Sequence, residues 1–503
     1  MRRILWTITL LFVVFMDGRP SSQSRVGYFD AHADVGRPAI TGSTSYDANA
    51  QTYTIVGAGA NMWGARDEFQ FAHRRLSGDF IVRAHAAFIG QGVNPHRKLG
   101  WIVRRGLEAD GPYVDAAVHG DGLTSLQFRR TAGGDTEEVP STIKAPDVIQ
   151  LERRGTTYIM SVARFGEPFT NVEVSNVDLG NEVHVGLFVC SHDPQVSERA
   201  TFSDVRIVVP PKAGWQPYRD YIGSNLEVLT VKTGARMVVH TEPDSIQAPN
   251  WTLDDKALIY NRRGGLYRFD LRTRTPSLID TGFASSNNND HVLSFDGRQL
   301  GISHHAKEDN NRSVIYTLPV TGGVPKRVTS NSPSYFHGWS PDGKSLVYTG
   351  VRNGELDIYK ISVDGGEEVR LTTAPGADDG SEYTPDGQWI YFNSARTGRM
   401  QIWRMKPDGS GQEQITKDDF NNWFPHVSPD GQSLVVLSYL ADVDPAEHPF
   451  YRQVYLRTMR LDGSVPRVVA YVYGGQGTIN VPSWSPDSTR LAFVSNTALP
   501  APH

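Results

Sequence analysis

The sequence has little of several features that mark particular classes of protein. It contains one cysteine, Cys190, in 503 residues, so no disulfide within the chain can stabilise the fold. The apolar segment around Cys190 predicts a buried strand residue. There is no long basic run and the net charge is only -5, so nucleic acid is not an expected partner. Beyond the N-terminus no apolar run is long enough for a transmembrane helix, so we expect no membrane-spanning segment after signal removal.

The N-terminus has the pattern of an export signal. Arg2 and Arg3 precede an apolar run of 13 residues at 4–16, and a polar segment follows to residue 24. Such a run is short for a bilayer but fits the core of a signal peptide. We therefore predict a signal peptide over residues 1–24 and a periplasmic or secreted protein.

The composition of the remaining chain favours β-structure in more than one domain. Its 48 glycines and 30 prolines are typical of many short strands joined by tight turns. A length of 503 residues is too great for one ordinary core and predicts two or three domains.

The second half of the chain contains six copies of one short motif. In the most complete copies, Ser-Pro-Asp-Gly lies between two apolar segments, and successive repeat aspartates are 42, 46, 44, 44 and 57 residues apart. A period near 44 residues is that of a four-stranded propeller blade. The repeat aspartates are Asp254, Asp296, Asp342, Asp386, Asp430 and Asp487.

The ends of this region predict how a ring of blades closes. After Asp487 the chain has room for one more strand, at 491–495, so the last blade lacks two strands. The segments 226–230 and 236–240, before the first repeat, are expected to supply them. Closure of this kind leaves no exposed sheet edge. We predict a six-bladed β-propeller over residues 224–497.

The repeats resemble the WD40-like repeats of TolB-type propellers over about residues 224–495. The resemblance is specific for fold and says little about activity, because the repeat residues occupy turn and packing positions. TolB itself is a non-catalytic binding protein. Polysaccharide lyases similar to oligogalacturonate lyase use such propellers with a histidine-bound metal, although their ligand motif is not matched residue by residue in this chain.

The first half lacks the repeat but is rich in strand-like segments. Most alternate between apolar and polar residues, as 80–88 does, and no helix signal is present. This predicts a two-sheet sandwich over residues 26–210, joined to the propeller by a linker at 211–223, and an all-β protein throughout. The nine segments are 52–56, 78–88, 99–104, 113–118, 123–130, 148–153, 158–164, 184–189 and 200–208.

The order of three segments in this half, at 67–71, 77–80 and 186–190, resembles that of concanavalin A-like jelly-roll domains. Such domains often bind sugars on a concave face. Trp63, Trp101, Tyr113 and Phe128 are candidates for an aromatic platform there. Aromatic residues in strands are more often core residues, and that is the favoured interpretation of each.

The propeller mouth is the expected place for chemistry. The innermost strand of each blade begins beside the axis, so the residues before each repeat turn converge there. Histidine with carboxylate suits one divalent metal (Mn, Zn or Ca) or a general acid/base pair, and a polar, water-filled channel is the alternative. The candidates are Asp379, Glu382 and His337 for catalysis, His291, His337 and His426 as metal ligands, and Tyr335, Asn421, Asn422 and Trp423 for substrate binding.

Blade five also contains an insertion of about 13 residues near 439–452, which accounts for the longest repeat spacing. Because it follows the second strand of its blade, it is expected on the same face as the mouth.

Two functions stay open. In the first, an exported protein binds or processes a polysaccharide or oligosaccharide at the mouth, as a metal-dependent lyase or as a hydrolase that uses Asp379 and Glu382. In the second, the protein is a non-catalytic scaffold of the cell envelope, and the mouth holds a partner protein. Bound metal and turnover would favour the first function.

Overall fold

The computed structural model describes residues 25–499, which are almost entirely β-structure. The predicted signal peptide lies outside these residues. The helix in this range is a single 3-10 turn, Lys307–Asp309. Within the described chain, then, no helix has the length and apolarity needed to cross a membrane.

The first fourteen strands form two seven-stranded antiparallel sheets, called here the two-sheet domain. The first sheet has the order β1-β4-β13-β6-β7-β8-β9, and the second has the order β12-β11-β10-β5-β14-β3-β2. The strands are β1 (Ala31–Val35), β2 (Ser43–Asp47), β3 (Thr52–Gly59), β4 (Phe69–Ser77), β5 (Phe80–Ile89), β6 (Lys98–Arg104), β7 (Tyr113–His119), β8 (Thr124–Arg129), β9 (Glu137–Pro140), β10 (Val148–Arg154), β11 (Thr157–Ala163), β12 (Thr170–Val174), β13 (Glu182–Cys190) and β14 (Asp193–Val208).

The two sheets share one hydrophobic core. Trp101 and Val114 of the first sheet belong to the same buried cluster as Val82 and Leu151 of the second. Alternating side chains of most strands belong to this core, which is what the sequence pattern predicts for stacked sheets.

All nine segments predicted as strands in this domain are strands, and five others were not predicted. Four of the five, β1, β2, β9 and β12, are the end strands of the two sheets. End strands expose one edge and one face to water, so they carry polar residues and lack a strong apolar pattern. The fifth, β4, is interior, but charged residues near its end obscure its alternation.

The favoured interpretation of the aromatic residues in this domain is correct for three of the four candidates. Trp101, Tyr113 and Phe128 are buried in the core, whereas Trp63 is 42% exposed. Cys190 is fully buried, as predicted.

The remaining strands form the six blades of a β-propeller. Five blades are four-stranded antiparallel sheets, which follow one another along the chain from β17 to β36. The strands are β15 (Gly223–Thr230), β16 (Arg236–Glu242), β17 (Gln247–Trp251), β18 (Ala257–Arg262), β19 (Gly265–Asp270), β20 (Thr275–Leu278), β21 (Asn287–Leu293), β22 (Gln299–Ala306), β23 (Arg312–Pro319), β24 (Lys326–Arg327), β25 (Ser334–Trp339), β26 (Ser345–Arg352), β27 (Glu355–Ser362), β28 (Val369–Arg370), β29 (Asp378–Tyr383), β30 (Ile390–Ser394), β31 (Gln401–Met405), β32 (Glu413–Gln414), β33 (Asn421–Val427), β34 (Ser433–Tyr439), β35 (Arg452–Arg460), β36 (Arg467–Gly474) and β37 (Arg490–Thr497).

The sixth blade joins the two ends of the propeller. Its sheet has the order β16-β15-β37, and Trp484 forms a further bridge to Leu491 on the inner side. Strand β15 pairs with β37 over eight residues, from Gly223 opposite Thr497 to Thr230 opposite Arg490. The strand pair predicted to complete the last blade therefore does so.

Each repeat motif forms the same hydrogen-bonded turn. In blade three, Ser340 Oγ donates to Asp342 Oδ1 at 2.6 Å, and that carboxylate accepts the backbone N–H of Lys344. Serine or threonine stands two residues before the aspartate in all six turns and makes the same bond. The repeat is therefore a local turn device, and it accounts for the fold without implying an activity.

A buried ionic cluster joins the two-sheet domain to the propeller. The carboxylate of Glu227, on β15, accepts Arg206 Nη2 at 2.5 Å from β14 and Arg236 Nε at 2.8 Å from β16. Asp204 lies 3.3 Å from Arg206 and 3.0 Å from Arg236. All four side chains are almost completely buried, so this cluster is part of the interior.

Candidate functional site

A cavity of about 940 Å³ lies at the end of the propeller where the innermost strands begin. It is called here the mouth cavity. Its walls come from β21, β25, β29 and β33, from the linker and from the insertion in blade five. A volume of this size is typical of a site for a small organic ligand.

Three charged side chains from neighbouring blades form the centre of this cavity. His337 Nε2 of blade three lies 2.9 Å from Asp379 Oδ1 of blade four. The same carboxylate oxygen accepts the hydroxyl of Thr349 at 2.6 Å and the backbone N–H of Gly380 at 2.8 Å. Asp290 of blade two completes the group, and Asn288 Nδ2 donates to its Oδ2 at 2.7 Å.

The surroundings change the pKa of each of these groups. Burial raises the pKa of Asp290 to about 6, with His337 opposing and Asp379 adding to the effect. Burial acts to lower the pKa of His337, but Asp379 outweighs it, so that pKa lies above the ordinary value. Burial acts to raise the pKa of Asp379, yet His337 and Thr349 hold it far below the usual range. At neutral pH the group contains the ion pair of His337 and Asp379. The carboxylate of Asp290 lies beside it, and burial makes its charge unfavourable.

Replacing Asp290 by asparagine is expected to stabilise the protein at pH 8. An acid whose pKa is higher in the folded state loses stability as pH rises from its unfolded value, near 4, to its folded value, about 6. The shift corresponds to about 1–3 kcal/mol. The gain in the free energy of unfolding should therefore grow between pH 4 and pH 7 and then level off, as measured by urea denaturation.

Asp296→Asn is the matched control for this prediction. Asp296 is an exposed turn aspartate whose pKa is lowered by its hydrogen bonds, first that from Ser294. Its replacement should give no gain at pH 8. An Asp290→Asn variant that is less stable than the wild type at pH 8 would contradict the conclusion that the buried charge of Asp290 destabilises the protein.

The structure does not bring the three histidines proposed as metal ligands together. His291 is fully buried, and its ring nitrogens lie 3.1 Å from Asn289 O and 3.2 Å from Ile259 O. His426 Nδ1 contacts Glu382 Oε2 at 2.6 Å, and its Nε2 contacts the carbonyl of Ile479. Of the three, only His337 lines the mouth cavity. No group of three or more histidine, cysteine or acidic residues among residues 25–499 has the spacing of a metal site.

The two carboxylates proposed for hydrolysis lie in different places. Asp379 lines the mouth cavity, whereas Glu382 lines a smaller cavity of about 220 Å³ where the innermost strands end. Trp251, Trp339 and Trp484 also line that second cavity. Glu382 binds His426 and the backbone N–H of Val427, so it connects blades four and five.

The residues proposed for substrate binding are divided in the same way. Tyr335 lines the mouth cavity. Trp423 is buried in the core of blade five, and Asn421 donates to Val443 O at 2.9 Å and so holds the insertion. Asn422 is fully buried and donates to Asp418 at 2.9 Å.

Other side chains that line the cavity were not candidates. Tyr218 and Tyr221 come from the linker, and the only sequence signal was the aromatic composition of that segment. Phe424 follows the buried Trp423 and has a positive φ of 52°, which turns the chain at that point. His448 comes from the insertion, which reaches the mouth as its position predicted.

Comparison with known proteins places the propeller in a family. Residues 336–447 match the model of the TolB β-propeller domain. An uncharacterized protein of Agrobacterium fabrum is 47% identical over 272 residues, which are 54% of this chain and 92% of that protein. The solved structure of a protein assigned as TolB from Agrobacterium tumefaciens is 46% identical, with a TM-score of 0.53 over 56% of this chain and 100% of the other. TolB from Acinetobacter baumannii is 21% identical over 50% of this chain and 64% of its own, and its TM-score of 0.40 supports no inference. The chain belongs to the family of TolB-like β-propeller proteins.

Proposed function

We propose that the mouth cavity binds a sugar unit of an oligosaccharide or polysaccharide. The observation that carries this proposal is the combination of tyrosine rings, side-chain amides and one ion pair around a single large cavity. Tyrosine rings offer an apolar face with a polar edge, and amides offer both donors and acceptors. A sugar ring needs the same combination, because it has an apolar face and a rim of hydroxyl groups.

Unsatisfied polar atoms in the wall support this proposal. Asn289 Nδ2 and Asn287 Oδ1 are buried beside the cavity without a hydrogen-bond partner in residues 25–499, and so is His448 Nδ1. Buried polar atoms are normally paired, so unpaired ones in residues that line one cavity favour a polar ligand there.

The charged group gives the site a proton donor. Asp290, with a pKa of about 6, is protonated in mildly acidic solution, and His337 is protonated beside it. Asp379 is ionised throughout that range and fixes the ring of His337. This arrangement is suited to holding a glycosidic oxygen through a donated hydrogen bond, and it is a starting point for acid catalysis.

The first domain fits the same proposal. Its two seven-stranded sheets are consistent with a concanavalin A-like jelly roll, which would provide a second sugar-binding surface on an exported protein. Trp63 is the exposed aromatic residue of the proposed platform, and Lys98 Nζ lies 6.0 Å from the centre of its ring.

Replacing Tyr335 by alanine is expected to weaken glycan binding by about tenfold, because one aromatic contact contributes about 1.4 kcal/mol. The experiment is a glycan array followed by calorimetric titration of the best glycan. Tyr335→Phe should retain most of the affinity. Tyr267→Ala, a tyrosine of blade one outside the cavity, is the matched control and should bind as the wild type does.

The outcomes separate binding from turnover and from a metal requirement. Cleavage of the bound glycan would make the protein an enzyme. Stoichiometric metal by elemental analysis, lost in His337→Ala, would support the predicted Mn, Zn or Ca. Equal affinity in Tyr335→Ala and the wild type, or no glycan bound at all, would contradict the sugar site.

Family membership favours a second candidate function, a TolB-like scaffold that holds a protein partner at the mouth. The side-chain amides of Asn287 and Asn289 could also form hydrogen bonds with the backbone of a bound peptide. Capture of a peptide by the wild type, and its loss in Tyr335→Ala without any glycan affinity, would favour this function.

A further inference from the structure

Arg83, on β5 of the two-sheet domain, is a buried cation without a counter-ion. Arg83 is only 4% exposed. Its Nε has no hydrogen-bond partner, and its guanidinium takes part in none of the ion pairs formed within residues 25–499. Arginine stays protonated in proteins, so a buried and unpaired guanidinium is unfavourable unless another charge completes it.

The charged groups with the strongest influence on Arg83 leave this part of the molecule positive. Burial lowers the pKa of Arg83 to about 9, and the coupled charges are those of Arg236, Asp204, Arg206 and Glu227. Three guanidinium groups therefore face two carboxylates. His85 contacts Asp204 at 3.8 Å, but burial lowers its pKa, so it adds no positive charge at neutral pH. One positive charge is left over, and it belongs to Arg83.

Arg83 lines a cavity of about 410 Å³ between the second sheet and blade five. This interdomain cavity also contains Ser161 and Asn171 on the side of the sheet, and Tyr455 and Tyr471 on the side of the propeller. Its walls thus offer hydroxyl, amide and aromatic contacts beside the cation.

The acidic residues of the same cavity do not neutralise Arg83. Glu152 Oε1 is paired with Arg154 Nε at 2.6 Å, and Glu152 Oε2 accepts Gln453 Nε2 at 2.8 Å. Glu173 is exposed on the end strand β12. The two carboxylates of the cavity are therefore either paired with another residue or exposed, and neither forms an ion pair with Arg83.

We infer that the interdomain cavity binds an oxyanion, a carboxylate or phosphate group on a small ring compound, with Arg83 as its cationic ligand. The guanidinium is suited to this role because its parallel N–H groups match two oxygens of such an anion. The ring of the ligand would lie between the sheet and blade five. This site is separate from the mouth cavity, and a bound anion would connect the two domains.

The test is thermal unfolding of the full chain with inorganic phosphate, galacturonate or glucose. A ligand that binds only the folded state raises Tm, and we expect a rise of about 2–4 °C for phosphate, for galacturonate or for both. The two anions distinguish a phosphate site from a sugar-acid site. Glucose, which has no negative charge to pair with Arg83, should not raise Tm.

Arg83→Gln should abolish the anion-dependent rise in Tm and leave Tm without anion unchanged or higher, since the unpaired charge is gone. Arg153→Gln is the matched control, because Arg153 is equally buried but donates to the carbonyls of Gly155, Asn181 and Gly180. It should lower Tm and keep the response to anion. An identical response in Arg83→Gln, or none from either anion in the wild type, would overturn the site.

Discussion

Replacing Glu227 by glutamine is expected to lower the free energy of unfolding by about 3–5 kcal/mol, because breaking a buried ion pair leaves its partner unpaired. The carboxylate is fully buried between Arg206 and Arg236, with two contacts of 2.8 Å to Arg236. Glutamine keeps the shape but not the charge. Urea denaturation at pH 7 measures the loss, and calorimetry shows whether the two domains then unfold separately.

The pH dependence of this loss distinguishes charge from shape. Burial opposes ionisation of Glu227, but Arg206 and Arg236 outweigh it and hold its pKa far below the usual range. A lowered pKa contributes stability above the unfolded value, near 4.5, and this stability is lost as pH falls. The difference between the wild type and Glu227→Gln should therefore be constant above pH 6 and shrink below pH 4.5. Glu355→Gln, in an exposed pair with Arg370, should change stability by less than about 0.5 kcal/mol. A Glu227→Gln loss as small as that would contradict the prediction.

A loss of similar size, about 3–5 kcal/mol, is expected for Asp67→Asn in the two-sheet domain. Asp67 is fully buried and binds two fully buried arginines, Arg104 Nη1 at 2.6 Å and Arg129 Nη2 at 2.7 Å. An asparagine can accept hydrogen bonds from them but carries no negative charge, so both guanidinium groups would lose their counter-ion. The arginines also donate to backbone carbonyls, including that of Glu108, so the variant should still fold.

Urea denaturation at pH 7 also checks the Asp67 prediction. Asp110→Asn is the matched control, since Asp110 is exposed in the same domain, and it should stay within about 0.5 kcal/mol of the wild type. If Asp67→Asn unfolds at the same urea concentration as Asp110→Asn, the ion pairs of Asp67 with Arg104 and Arg129 do not stabilise the domain.

The fold was predictable from the sequence where its signals are local. Each repeat turn consists of a serine or threonine, an aspartate and the backbone two residues later, so six copies are visible without any knowledge of long-range contacts. The closure of the ring was predictable because the chain after Asp487 has room for only one strand, so the last blade must take its other strands from before the first repeat. The end strands of the two-sheet domain could not be found in the same way, because their polar residues face water.

The candidate site was only partly predictable, because the innermost strands are irregular. Each innermost strand from β17 to β33 has a register shift in its middle, for example between Asp379 and Glu382 and between Trp423 and His426. A bulge redirects the side chains that follow it, so simple alternation fails there. Asp379, His337 and Tyr335 line the mouth cavity, whereas His291, His426 and Glu382 do not.

The sixth blade has a consequence for how the chain folds as it is made. Asn225 on β15 and Ser495 on β37 are 270 residues apart, yet their side chains are in contact. Strand β15 can pair with β16, which follows it directly, but its other edge has no partner until β37 has been synthesised. Pairings between such distant segments form slowly, and an unpaired strand edge is prone to aggregation meanwhile. The ring therefore cannot close before β37, the last strand of the propeller, is available to pair with β15.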